Sequence, residues 1–164
     1  MAFNMSKGTL NHPVLQVVRA HSDTFSSLNT NTWGSNPIGT VNITPQNSGN
    51  LIMIMYTACV CATSGNDIAI RLLANGTSVM QASNGRNLMG AMQSSTAQSN
   101  WAGTNSTCIF WHEPNSTSQQ GYQVQHRMQT GGGGTIYFNG TNATTGGDSW
   151  GSRSFMTIME IGDV

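Results

Sequence analysis

Apolar residues in this chain fall into short segments that either alternate with polar residues or run unbroken, and Gly, Asn, Ser, Thr and Pro bound each segment. A period of two places successive side chains on opposite faces of a pleated strand, so these segments predict β-structure. Tyr122 to Met128 alternates most clearly. Tyr122, Val124, His126 and Met128 share one face and Gln123, Gln125, Arg127 and Gln129 the other, which predicts one face in a core and one in water. From Gly39 to Thr44, Val41 and Ile43 alternate with Thr40 and Asn42, and Pro45 closes the run because it has no N–H to extend a ladder. Leu51 to Cys61 is almost continuously apolar and predicts a central strand covered on both faces. Asp67 to Ala74 and Thr77 to Gln81 flank Asn75-Gly76, the pair favoured in a type I′ hairpin turn, where both positions need positive φ.

Val14 to Arg19 after Pro13, Thr107 to His112, Thr135 to Phe138 before Asn139-Gly140, and Phe155 to Ile161 complete the set. Gly85 and Gly90 interrupt the segment from Met80 to Met92, which reads as strand or loop rather than helix. The first and last strands are both strongly apolar and are expected side by side in the core. About nine strands with no helix predict an all-β fold, an antiparallel β-sandwich of the jelly-roll type. Residues 1–13 do not fit the alternation and read as an N-terminal arm, with residues 14–164 as the sandwich domain. The arm carries Phe3, Met5 and Leu10 among small polar residues, so it is either a frayed end or a strap anchored on a partner by those three side chains.

Composition narrows the role. Only 7% of the residues are charged, six Lys/Arg against six Asp/Glu, where an ordinary soluble domain carries ~25%. Such an uncharged polar coat has little field to steer a nucleic acid or an ionic substrate, and it adds little repulsion when copies pack together. A structural or assembly role is therefore favoured, with no nucleic-acid partner. The 164 residues suit one domain; the N-terminus lacks the pattern of a secretory signal, and no run approaches the ~18 apolar residues of a membrane span. An unexported product without a membrane partner is expected. Of the three cysteines, Cys59 and Cys61 fall on one face of one strand and Cys108 has only His112 nearby, so the expectation is small buried hydrophobes, with no disulfide, metal or cofactor.

Motifs that suggest chemistry lack their context. Gly147-Asp148-Ser149-Trp150-Gly151 matches the nucleophile elbow, but a strand rather than a helix follows and no histidine lies downstream. Gly131 to Gly134 leads into strand rather than into a phosphate-binding helix, and reads as a loop. His112, Glu113 and His126 are the remaining acid–base groups, and a lone His on a strand is commonly a satisfied core or interface group. No catalytic residue is assigned and no enzyme is expected. The Asn-x-Ser/Thr triplets at Asn75 and Asn139 read as turns. Trp33, Trp101 and Trp150 sit in polar, loop-like stretches, each either pinning a loop to its own sandwich or presenting a ring to a sugar or a partner pocket.

In their order along the chain, Val14-Leu15-Gln16-Val17-Val18, Ile43-Thr44-Pro45 turning into Leu51-Ile52-Met53, Arg71-Leu72-Leu73, Tyr122-Gln123-Val124 and the closing Thr157-Ile158-Met159-Glu160-Ile161 resemble a family. These are the small jelly-roll virion proteins of tailed phages, of marine phage and cyanophage type, whose sandwich is similar to that of tumour necrosis factor and the complement head. Many relatives carry Ser-Lys before the long central strand, where this chain has Gly49-Asn50, which weakens any charge-based contact there. The resemblance implies a homotrimer on the phage particle. A sandwich that starts by Val14, with only a short arm before it, favours a capsid decoration (cement) protein, bound to the major capsid protein on the outer surface of the virion and assembled in the host cytoplasm. The alternative is the receptor-binding tip of a tail fibre or head spike, with Trp33, Trp101 or Trp150 touching host glycan. A carbohydrate-active enzyme is disfavoured because the carboxylates are scattered.

Overall fold

Asn75 and Gly76 both lie in the left-handed region, at φ 49° and 79°, and they join β6 (Asp67–Ala74) to β7 (Thr77–Val79). The Asn-Gly pair thus makes the hairpin that the sequence predicts. The computed structural model describes residues 12–29, 32–62, 67–79, 91–93, 104–128, 135–140 and 152–162, and within them twelve strands and no helix build two antiparallel sheets. In the first sheet β1 (Val14–Ser22), β12 (Ser154–Ile161), β5 (Leu51–Ala62) and β9 (Thr104–His112) lie side by side. β11 (Ile136–Phe138) pairs with the end of β5 beyond the stretch bonded to β12, and β2 (Ser26–Leu28) pairs with β11. In the second sheet β10 (Gln120–Met128) has β3 (Gly34–Ser35) and β4 (Val41–Ile43) along one side and β6 along the other, and β6 pairs onward with β7 and β8 (Ala91–Gln93). The result is an all-β antiparallel sandwich of jelly-roll type. Two strands went unread because two or three residues are too short for a period to show, β2 and β3, while β8 lies at the end of the Met80–Met92 segment read as strand or loop.

The core lies between the sheets and follows alternation along most of β5 and along β10, whereas β6 also buries Ala69 and Leu73. From β5, Ile52, Ile54, Tyr56, Ala58 and Val60 point inward; from β10, Tyr122, Val124, His126 and Met128 do so, as predicted. Pairing aligns the inward residues of the first sheet in rows, one of them Val18, Ile158, Ile54 and Phe110. Two expectations need correction. β5 is central but covered on one face only, since its odd-numbered residues from Leu51 to Cys59 remain half-buried or exposed. β1 and β12 do pair, from Val14↔Ile161 to Ser22↔Ser154, yet β1 is an edge strand with Val14 and Val17 exposed. Both departures have one cause: no element of the described chain lies over the outer face of this sheet.

Polar side chains fix the ends of the sandwich. Glu160, enclosed on β12, accepts from Gln16 Nε2 and Asn50 Nδ2, each at 2.5 Å, and from the Gln46 backbone N–H at 2.7 Å. Enclosure alone would raise its carboxyl pKa. The hydrogen bonds from Asn50, Gln16 and the backbone of Gln46 and Asn47 together outweigh that and hold it below the ordinary carboxylate value. Asn50 supplies a neutral donor. At the other end Asn139, at φ 60°, is more than a turn residue. Its Nδ2 donates to the Ser22 and Thr24 carbonyls, its Oδ1 accepts from Ser154 Oγ at 2.7 Å, and its backbone N–H bonds the Cys59 carbonyl.

His126 is a core residue, as expected, but not a satisfied one. Its ring packs against Phe138 at 4.9 Å between centroids and Tyr56 at 5.5 Å, and neither ring nitrogen has a hydrogen-bond partner among the described residues. Burial pushes its pKa down to about 3. The native state therefore holds His126 neutral while the unfolded chain takes up a proton below about pH 6.5. Stability falls as pH drops from that value towards 3, and this contribution is absent at higher pH.

Two outcomes follow for unfolding by urea. Glu160→Gln places an amide N–H against the Gln16 and Asn50 donors and is expected to cost about 2 kcal/mol at pH 7. The wild-type advantage is present above the ordinary carboxylate pKa and disappears as pH falls through the lowered native value, so the two proteins converge in acid. His126→Phe is expected to remove a slope of up to about 1.4 kcal/mol per pH unit between pH 6.5 and pH 3. Equal pH profiles for H126F and wild type across that window would contradict the assignment.

Candidate assembly surface

The outer face of the first sheet is built by the same alternation that fills the core. Strand pairing puts Val17, Met159, Met53 and Trp111 in one row, Arg19, Thr157, Met55 and Ile109 in the next, and His21, Phe155, Thr57 and Thr107 in a third. Val17, Met55, Ile109, Trp111 and Phe155 are each between 36% and 48% exposed, a large share for side chains of this size. Arg19 is the one charged residue in these three rows, and it stands on the edge strand. Four strands ~4.8 Å apart and about six residues long make a face of roughly 400 Å², the size of the largest patch on a typical monomer, which is often functional. Thr57 Oγ1 and Thr107 Oγ1 share a hydrogen bond at 3.1 Å, so even the hydroxyls of the third row are partly satisfied within the face.

Trp33 lies on the opposite side of the molecule, just before β3. It is half-buried rather than displayed on a free loop, because Arg71 and Arg127 hold their guanidinium carbons 4.5 and 4.7 Å from its ring centroid. Gln125 pairs with Ser35 on one side and Arg71 on the other, and its Oε1 accepts from Arg71 Nε and Nη2 at 2.9 and 2.6 Å. Burial, followed by the charge of Arg127, lowers the Arg71 pKa. A Cβ at Gly34 would fall 2.2 Å from Leu28 Cδ1, so the glycine lets β3 approach this side chain as it pairs with β10.

Phe3, Met5, Leu10, Trp101, Trp150 and the glycine runs at 131–134 and 147–151 lie outside the described residues. His112 Nδ1 and the Tyr122 hydroxyl share a hydrogen bond at 2.8 Å, and burial lowers the pKa of the imidazole, an effect that Glu113 opposes, and raises that of the phenol. Cys59, Cys61 and Cys108 are not joined in disulfides. Among the described residues no three His, Cys, Asp or Glu side chains converge. Sequence reasoning missed Met53, Met55, Ile109, Trp111 and Phe155 as surface residues, because a strand that is apolar at both parities reads as buried on both faces. Arg71 and Arg127 were also missed, and their signal was parity: both fall at outward positions of paired strands.

No protein-family model matches the chain, and no curated protein matches it. Among solved structures it is similar to dimeric latent PorU from Porphyromonas gingivalis (TM-score 0.46, 12% identity, 98% of this chain and 14% of that one). It is also similar to a structure of the infectious bursal disease virus Gt strain (0.43, 8%, 100% and 42%) and to the insecticidal delta-endotoxin Cry8Ea1 from Bacillus thuringiensis (0.39, 8%, 87% and 19%). The chain thus spans less than half the length of these proteins, and likeness at this level carries no argument about its role.

If the outer face packs on protein, a charge placed on it will expel the partner without disturbing the core. Ile109→Lys is expected to keep the β-type circular dichroism and a cooperative melt while shifting sedimentation from an oligomer to a monomer. An unchanged sedimentation profile would contradict the surface assignment.

Proposed function

We propose that the chain is a structural protein of a phage virion: a homotrimer that decorates the capsid by binding the major capsid protein, and that carries out no chemistry. The observation that carries this reading is the apolar outer face of β1, β12, β5 and β9. Copies of this chain are suitable occupants, since the face carries almost no charge to repel a like neighbour, and in a closed ring the face of each protomer is covered by a second patch of the next, an arrangement that also protects the exposed edge of β1. The uncharged coat and the ordered strand motifs that resemble phage virion proteins support the same reading. It involves no cofactor, metal, nucleic acid or membrane. The arm carrying Phe3, Met5 and Leu10 is proposed to contribute to the adhesive base on the capsid, at the outer surface of the virion.

The alternative, a fibre or head-spike tip touching host glycan, differs in number rather than in fold. Light scattering on the purified full chain is expected to give the mass of three 17.5 kDa protomers. In purified virions the protein is expected at a copy number comparable to that of the major capsid protein. A monomer in solution would overturn the assembly reading, and a few dozen copies per particle would replace decoration with the tip.

A further inference from the structure

Two of the six Lys/Arg residues of this formally neutral chain stand together on the outer face of the second sheet. Arg71 of β6 lies opposite Gln125 of β10, and Arg127, two residues further along β10, lies opposite Ala69, so the guanidiniums are diagonal neighbours against one indole. Among the described side chains neither meets a carboxylate; the ion pair found there, Arg153 with Asp23, lies elsewhere. Arg71 spends two donors on Gln125, whereas Arg127 Nε is shut off from solvent and has no hydrogen-bond acceptor. Like charges pressed together beside an unsatisfied, shielded donor are unfavourable for the free protein.

We propose that Trp33, Arg71 and Arg127 form a binding site for an oxyanion, the sulfate, phosphate or carboxylate group of an acidic saccharide. A guanidinium presents parallel N–H donors that match such a group, and two of them around one anion neutralise charge that no described carboxylate compensates. The half-buried amides of Gln123 and Gln125 and the exposed Ser35 border the pair, and these neutral, directional groups suit the hydroxyls of a sugar ring. The site is on the sheet opposite the apolar face, so it stays open when copies cover that face. It does not depend on the virion reading.

Isothermal titration calorimetry of the full chain at low ionic strength tests this with inorganic sulfate, a sulfated disaccharide and the same disaccharide without its sulfate. The sulfated sugar is expected to bind at least about tenfold more tightly than the unsulfated one, and Arg127→Gln and Arg71→Gln are each expected to weaken it by a similar factor. Inorganic sulfate is expected to compete, while chloride at equal ionic strength is not, a comparison that needs no variant. Inorganic sulfate binding as tightly as the sulfated sugar would support the oxyanion site with the free ion as its ligand. Equal affinity for the two sugars, no binding, or binding unchanged in a folded R127Q would overturn the proposal.

Discussion

The phase of one strand governs this molecule. β5 pairs with β12, β9 and β11, so whichever parity of β5 faces inward sets the inward parity of its neighbours. A slip of one residue would turn Ile52, Ile54 and Tyr56 outward and bring Met53, Met55 and Thr57 into the core. Hydrophobicity alone discriminates weakly between these phases because both faces of the strand are apolar. The choice is reinforced by Glu160, which stands opposite Ile52 and Gln16 and finds its donors only when β12 faces inward at that position. A buried carboxylate with matched donors has no equivalent in the slipped register.

The phase of each sheet assigns a different task to its outer surface. On the first sheet it exposes Val17, Met55, Ile109, Trp111 and Phe155, a face suited to protein. On the second sheet the alternation of β10 turns Gln123, Gln125 and Arg127 outward beside Arg71 and Trp33, a polar and cationic face. Between them the core tolerates His126 without a side-chain hydrogen bond, held neutral by burial, and the cost appears only in acid.

Most of the fold was legible because its signals are local. The alternation in Tyr122–Met128 and the Asn75-Gly76 turn need only neighbouring residues to be read. Features that depend on pairing across the sheet were not legible. The apolar run of β5 reports that both faces avoid water and not what covers them, so it suggested cover within the chain. Arg71 and Arg127 lie far apart in sequence and meet only through the register of β6 with β10, and Asn139 looks like an ordinary turn until Ser22, Cys59 and Ser154 are brought around it. Trp33 drew notice as an isolated aromatic, whereas its setting beside two guanidiniums could be found only in the fold.

Methionine footprinting tests the central claim most directly, because Met53, Met55 and Met159 all lie on the outer face of the first sheet, whereas Met156 faces the core. With the native chain at micromolar concentration, peroxide is predicted to oxidise Met53, Met55 and Met159 slowly, and to oxidise them quickly once Ile109→Lys has separated the protomers, with Met156 protected in both. Rapid oxidation of the three outer methionines in the wild-type protein while Met156 stays protected would mean that the face is open to water, and would contradict the account.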